Sequence, residues 1–175
     1  MGRFFSCFFS LLIAVATAAN GQEPSKAWRD TRTYSNSAWR WSVSYPAQWT
    51  VEAADPAAVR IRFAERNALC SIMSGPMDRF GSAEELADFM LANDEQFFRD
   101  KKQKFTIVER RRITLPNRVA GADVLAEIGP GQRSRRIYTL ADGRGFAIDC
   151  ETSAKNWEAV EPLYQQVISS FTVRR

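Results

Sequence analysis

Two cysteines in distant strand-like runs place the strongest constraint on how this chain can fold. Cys70 lies in the run 68–73 and Cys150 lies in the run 146–152. In each run the cysteine shares its parity with the apolar residues, so both side chains point inward if the runs are strands. The sequence therefore predicts a disulfide between Cys70 and Cys150, which would stabilise the fold by about 4 kcal/mol. The alternative is two buried thiols that never meet.

The first 18 residues indicate export, which places the two cysteines in an oxidising compartment. A basic start ending at Arg3 precedes an apolar run over 4–15, and small residues lead to a cleavage point after Ala18. This pattern is typical of a secretory signal peptide over residues 1–18. The apolar run is shorter than the roughly 20 residues of a membrane-spanning helix. Cleavage would remove Cys7 and leave an even pair of cysteines, whereas an uncleaved membrane anchor is the alternative.

Apolar residues that recur every second position predict most of the remaining structure. The clearest case is Val59, Ile61 and Phe63, which alternate with Arg60 and Arg62. Similar patterns predict strands over 39–45, 49–52, 59–63, 68–73, 105–115, 119–128, 135–140 and 146–152. The gaps between the later strands are short, so neighbouring strands are expected to pair as antiparallel hairpins.

Two helices interrupt the strands. Ser82 and Glu85 form a capping box, which predicts the start of the first helix. The apolar residues expected on its buried face are Leu86, Phe89, Met90 and Phe97. The second helix is predicted over 157–170, with an apolar stripe of Trp157, Val160, Tyr164, Val167, Ile168 and Phe171. Pro162 is expected to begin the main segment of this helix, because proline is costly inside one.

The order of strands, helix, strands and helix predicts an α+β fold, in which two long helices pack on an antiparallel sheet. Residues 19–37 are polar and contain Asn20, Gly21 and Pro24, so we expect a linker or arm there. The prediction is a single domain over 38–175, which is long enough to enclose a full hydrophobic core.

Several short sequence motifs resemble those of the PsbP-like family, which includes small exported bacterial proteins of unknown role. The motifs are Val43-Ser44-Tyr45-Pro46-Ala47-Gln48-Trp49, residues 82–86, residues 145–150 and Ser169-Ser170-Phe171. The resemblance spans roughly 36–173. It implies an α/β/α sandwich with a central antiparallel sheet, and a role in assembly or binding without a shared active site.

The chain lacks the residues on which most enzyme active sites depend. The chain contains no histidine, which excludes a Ser-His-Asp triad and histidine-ligated metal. We therefore predict no catalytic, metal or cofactor site. Carboxylates of shared strand parity remain as an alternative, in which the chain is a carboxylate-dependent hydrolase. These carboxylates are Asp123, Glu127, Asp149 and Glu151, and they are expected on polar sheet faces.

Arginine supplies the candidate binding residues. Arg110, Arg111 and Arg112 form a basic run, and a second run contains Arg133, Arg135 and Arg136. Arginine recognises carboxylate and phosphate groups with paired donors, so a basic ridge would suit an acidic protein or an anionic membrane surface. The alternative is that these arginines pair with the carboxylates of neighbouring strands. Trp28, in the predicted arm, is the other candidate contact residue.

These observations predict a secreted or periplasmic, non-enzymatic binding or assembly-accessory protein of the bacterial envelope. Its partner is expected to be an envelope protein or a small ligand. Nucleic acid is not expected, because the net charge of +4 is only mildly basic. The alternatives are the hydrolase and a peripheral binder of anionic membranes. The sequence specifies no oligomeric state.

Overall fold

The structure, a computed structural model, describes residues 30–174. In this range the chain forms ten strands, two α-helices and three 3₁₀ segments. The strands are β1 Thr31–Asn36, β2 Trp41–Pro46, β3 Thr50–Asp55, β4 Ala58–Phe63, β5 Ala68–Pro76, β6 Phe105–Leu115, β7 Val119–Ile128, β8 Gln132–Ala141, β9 Arg144–Ser153 and β10 Thr172–Val173. The helices are α1 Ala83–Asp100 and α2 Trp157–Ser170, and the 3₁₀ segments are Ala64–Arg66, Pro116–Arg118 and Ala154–Asn156. The predicted signal peptide, its cleavage point at Ala18 and Trp28 lie outside the described residues.

Seven strands form one antiparallel sheet in the order β3-β4-β5-β9-β8-β7-β6. The predicted hairpins link β6 to β7, β7 to β8 and β8 to β9. A second sheet of three strands has the order β1-β2-β10. The α+β class predicted from the sequence is therefore confirmed.

The disulfide joins the two runs of strands where they meet in the sheet. Cys70 of β5 lies directly opposite Cys150 of β9 in the antiparallel register. Their sulfur atoms are bonded, and both residues are fully buried. The predicted pairing is thus confirmed, and it links strands that are 80 residues apart in the chain.

The two helices pack on opposite faces of the seven-stranded sheet. Successive residues of β9 belong to different cores: Phe146 and Ile148 to a larger one, and Ala147 to a smaller one. Side chains alternate between the faces of a strand, so the two cores lie on either side of the sheet. The larger core contains α2 and the three-stranded sheet, whereas α1 covers the smaller core.

Helix α1 begins where predicted but buries a different face. The hydroxyl oxygen of Ser82 accepts from the amide of Glu85 (3.1 Å), and the Glu85 carboxylate accepts from the amide of Gly81 (2.8 Å). The buried residues of α1 are Ala83, Leu86, Ala87 and Leu91. Phe89 and Phe97 are 37% and 53% exposed, so the expected stripe was wrong at these two positions. Alanine therefore occupies two of the four buried positions of α1, while Phe89 and Phe97 stay in contact with solvent.

Helix α2 buries all six residues of its predicted stripe. Pro162, however, lies inside this helix instead of beginning a segment of it. Its ring removes the amide that would have bonded to the carbonyl of Glu158. Both residues are exposed, so water can solvate that carbonyl. Within residues 30–174, neither helix combines the length and hydropathy needed to cross a membrane.

Strand β1 corrects the predicted arm. Residues 31–36 pair with β2 along their whole length, from Thr31 opposite Pro46 to Asn36 opposite Trp41. The expectation of a linker over 19–37 therefore fails for these residues. Most of β1 is exposed, so it lacks the apolar alternation that identifies a strand in the sequence. Backbone hydrogen bonds to β2 and the ring of Tyr34, which packs against Trp41, hold it in place.

We expect removal of the disulfide to weaken the fold without changing it. The double substitution Cys70→Ala with Cys150→Ala should lower the free energy of unfolding by about 4 kcal/mol, because a long loop in the unfolded chain is no longer closed. Urea unfolding would measure this. Reductant should destabilise the wild type and leave the double variant unchanged. Equal stability of the two proteins, or free thiols at Cys70 and Cys150 in denatured, unreduced protein, would contradict the prediction.

Candidate functional site

Two adjacent arginines of β8 reach opposite faces of the sheet. On the α2 face, Nε of Arg135 donates to Oδ1 of Asp123 (2.9 Å) and Nη2 donates to Oδ2 of Asp123 (2.8 Å). Nη1 of Arg135 donates to Oε1 of Glu161 on α2 (2.6 Å). The side chains of Arg135 and Asp123 are 5% and 4% exposed. This buried network joins α2 to β7 and β8.

Arg136 makes the corresponding network on the α1 face. Its Nη1 pairs with Asp94 of α1, and its Nη2 lies 3.3 Å from Oδ2 of Asp149 on β9. Its Nε donates to the hydroxyl oxygen of Ser134 (2.9 Å), and that hydroxyl donates to Oδ1 of Asp149 (2.5 Å). The Arg136 side chain is 7% exposed. A single buried cation therefore holds carboxylates from a helix and a neighbouring strand.

Burial shifts the pKa values of the groups around Arg136. Burial disfavours the charged guanidinium, but Asp149 and Asp94 outweigh this and hold the pKa of Arg136 above its ordinary value. Burial raises the pKa of Asp94, and Arg136 only partly opposes the shift. Burial also raises the pKa of Glu151, and the negative charge of Asp149 adds to the effect.

An apolar cavity of about 140 Å³ lies beside this network, between α1 and strands β5 and β9. Its lining residues are Met73, Ser74, Gly75, Met77, Leu86, Met90, Gly145, Phe146 and Ala147. A polar cavity of about 50 Å³ adjoins it and shares Met73, Met90 and Ala147. Asp94, Arg136, Tyr138 and Asp149 also line the polar cavity. We call the two cavities together the α1 groove.

Two glycines shape the apolar part of the α1 groove. A Cβ atom on Gly145 would clash with Cγ of Met77, so the absent side chain is what allows Met77 to pack over β9. The amide of Met77 also donates to the carbonyl of Gly143 (2.9 Å). On the opposing strand, a Cβ atom on Gly75 would meet only Cε of Met77, at 4.0 Å. Met77 therefore occupies the space that a side chain at position 145 would take, whereas the space beside Gly75 stays open.

The predicted basic ridge does not form as one surface. Arg110 and Arg112 point toward α1, where they pair with Asp88 (2.5 Å) and Glu84 (2.6 Å). Arg111 points to the other face and donates to Asp123 (2.9 Å). The three arginines occupy successive positions of the sheet-edge strand β6, so they alternate between its faces. Only Arg111 forms the pair with a neighbouring strand that was the alternative to a binding ridge, whereas the partners of Arg110 and Arg112 lie on α1.

The predicted carboxylates are also separated. Asp123 and Glu127 pair with arginines on the α2 face, where Glu127 accepts from Nη2 of Arg133 (2.8 Å). Asp149 lines the polar part of the α1 groove, but Glu151 lines neither cavity. The expectation of a solvated polar face is wrong for Asp123, which is 3% exposed.

Sequence reasoning missed the α1 groove itself. Asp94 was not selected, although it lies one helical turn after Met90 and therefore on the same side of α1. Met73 lies on the less buried face of β5 and is 43% exposed, which strand parity alone does not mark as part of a site. Within residues 30–174, no three His, Cys, Asp or Glu side chains are grouped so as to hold a metal ion.

Comparison with known proteins supports the fold. No protein-family model and no curated protein sequence matches the chain. The solution structure of cyanobacterial PsbP from Synechocystis matches with a TM-score of 0.65 and 16% identity, over 89% of this chain and 99% of that chain. A Pseudomonas aeruginosa protein of unknown function matches with a TM-score of 0.53 and 14% identity, over 83% of this chain and 98% of that chain. The chain therefore has a PsbP-like fold, as the sequence resemblance implied.

Removal of the Arg136 guanidinium should destabilise the fold. Arg136→Met should lower the free energy of unfolding by about 3 kcal/mol, because it leaves Asp94 and Asp149 partly buried without their cation. Urea denaturation at neutral pH would measure the loss. Arg110→Met is the matched control: its side chain is 34% exposed, so its loss should cost less than about 1 kcal/mol. Equal effects of the two substitutions would refute the structural role given to Arg136.

The raised pKa of Glu151 should make the stability of the fold depend on pH. In the folded protein the pKa of Glu151 is raised above its ordinary value of 4.5, so the carboxyl group keeps its proton to a higher pH than in the unfolded chain. The free energy of unfolding should therefore fall as the pH rises from 4.5 through the raised pKa. Glu151→Gln cannot ionise and avoids this loss. The stability of the variant relative to wild type should therefore be greater at pH 7 than at pH 4, as measured by urea unfolding at both. A difference that does not change with pH would argue against a raised pKa.

Proposed function

We propose that this protein is an exported, non-enzymatic accessory protein of the bacterial envelope, built as a PsbP-like α/β/α sandwich, and that it binds its ligand or partner in the α1 groove. The observation that carries the proposal is the open apolar cavity beside the network in which the buried Arg136 pairs with the partly buried Asp94 and Asp149. The disulfide supports export, because such bonds persist in oxidising compartments.

The size and lining of the α1 groove indicate what it would accept. Small-molecule pockets usually enclose roughly 300–1,000 Å³, whereas the apolar cavity here encloses about 140 Å³. A group the size of one apolar side chain, or the end of a larger ligand, would fill it. Asp94 and Arg136 at the adjoining polar end would then select for a polar group next to the apolar one.

We favour binding over the hydrolase alternative. The raised pKa of Asp94 is the observation in favour of an acid catalyst in the groove. However, catalysis by two carboxyl groups needs an acid and a base of separated pKa beside the same substrate. Asp94 and Asp149 both pair with Arg136, and Glu151 lies outside the groove. These ion pairs support a structural role for the carboxylates.

The arginine run and Trp28 stay predictions for a second contact with an envelope partner. Arg112 is the most exposed of the three arginines at 84%, and it pairs only with Glu84 among the described ion pairs. An acidic partner at the β6 edge would therefore meet Arg112 and Arg110 on one face and Arg111 on the other. Because the three arginines lie on two faces of β6, a flat anionic membrane could contact either Arg110 and Arg112 or Arg111, but not all three at once.

Filling the α1 groove should abolish binding. We expect benzene, as a small apolar probe, to shift the NMR signals of Gly75, Met90 and Ala147 in the wild type. Gly75→Val should remove these shifts, because its side chain enters open space in the cavity and suits a strand. Ser71→Val is the control, since Ser71 lies on the same face of β5 outside the described cavities. No localised shifts in the wild type, or equal shifts in Gly75→Val, would rule out the groove as a binding site.

A further inference from the structure

Three methionines converge on the α1 groove from three parts of the chain. Met73 comes from β5, Met77 from the segment after it, and Met90 from α1. All three line the apolar cavity of about 140 Å³. They are also the only methionines within residues 30–174. Every methionine of the described residues therefore lines the same small cavity.

Packing against the smaller core accounts for Met77 and Met90 but not for Met73. Met73 is 43% exposed, so much of its apolar surface stays in contact with water. Met77 depends on the missing side chain of Gly145 for its position over β9. Met90 and Met73 also line the adjoining polar cavity, which contains the carboxylate of Asp94. The three methionines thus line a space that solvent can reach and that has an acidic group at one end.

The donor atoms specify the class of ligand. Thioether sulfur is a soft, uncharged donor that favours Cu(I) over harder cations, which prefer oxygen or nitrogen. The chain has no histidine, and its described acidic and cysteine side chains form no metal-holding group. We propose that the α1 groove binds a soft monovalent metal ion, Cu(I), through the sulfur atoms of Met73, Met77 and Met90. This rests on the proposed function, since it names the ligand of the same groove.

The competing explanation is that methionine fills an irregular apolar space. Methionine is flexible and often serves this purpose in cores. Leucine is similar in size and apolar but has no sulfur, so Met→Leu substitutions separate the two explanations. They preserve an apolar cavity and remove the metal donors.

The test uses Ag(I) as an oxygen-stable probe for the Cu(I) site. The full chain would carry Cys7→Ala, so that no free thiol competes for the metal, and its methionine methyl groups would be labelled with ¹³C. We expect a single Ag(I) ion to be retained per chain, with the methyl signals of Met73, Met77 and Met90 shifting together. Each single Met→Leu variant should weaken binding roughly tenfold, and the triple variant roughly 100-fold or more.

Matched controls keep the test interpretable. Ile107→Leu changes an exposed apolar residue on β6, outside the groove, and should leave Ag(I) affinity unchanged. The triple variant should still bind benzene, because its cavity remains apolar. Thermal unfolding would verify that it is folded, and the single variants carry the test if it is not.

The possible results separate the two proposals. Unshifted methyl signals, or wild-type Ag(I) affinity in the Met→Leu variants, would overturn the metal site. If benzene still binds in that case, the groove remains a binding site for apolar groups. If Ag(I) binds through the three sulfur atoms and benzene does not bind, the metal site stands and the apolar ligand is excluded. If neither probe binds in the groove, both proposals fail.

Discussion

The architecture depends on two neighbouring guanidinium groups that point in opposite directions from strand β8. Arg135 reaches Glu161 of α2 on one face of the sheet, and Arg136 reaches Asp94 of α1 on the other. Each arginine also holds a carboxylate of an adjacent strand, Asp123 of β7 or Asp149 of β9. A buried charge is costly unless it is paired, so each helix is held where its carboxylate meets the arginine. Both helices are therefore positioned by two adjacent residues of the sheet, Arg135 and Arg136.

The position of α1 explains the α1 groove. The helix packs mainly over β6, β7 and β8, and its flank borders β9 and β5 at the groove. The disulfide joins these two strands, but Cys70 and Cys150 point away from α1 into the larger core. The strands below the groove are therefore linked covalently, without a sulfur bridge that occupies the cavity. Arg136 closes the polar end by placing Asp94 and Asp149 on either side of its guanidinium.

Much of the fold was predictable because its signals are local. The strand β6 was predicted over 105–115 and β7 over 119–128, and the structure has the same bounds. Parity also identified Cys70 and Cys150 as inward-facing partners. The prediction failed for β1, which is held by backbone pairing and carries no apolar face, and for the buried face of α1. In α1 two of the four buried positions hold the small residues Ala83 and Ala87, whereas a hydrophobic pattern gives most weight to phenylalanine.

The candidate site was far less predictable. The arginines at 110–112 are adjacent in sequence, but strand geometry places Arg111 on the face opposite Arg110 and Arg112. Asp94 and Asp149 are distant in the chain and meet only because both contact Arg136. By itself, the sequence determined most of the strands, the inward-facing cysteines and the lack of histidine, because periodicity and composition are properties of the chain. Only the tertiary structure decided which charges pair and that Met73, Met77 and Met90 share one cavity, because both depend on where α1 lies on the sheet.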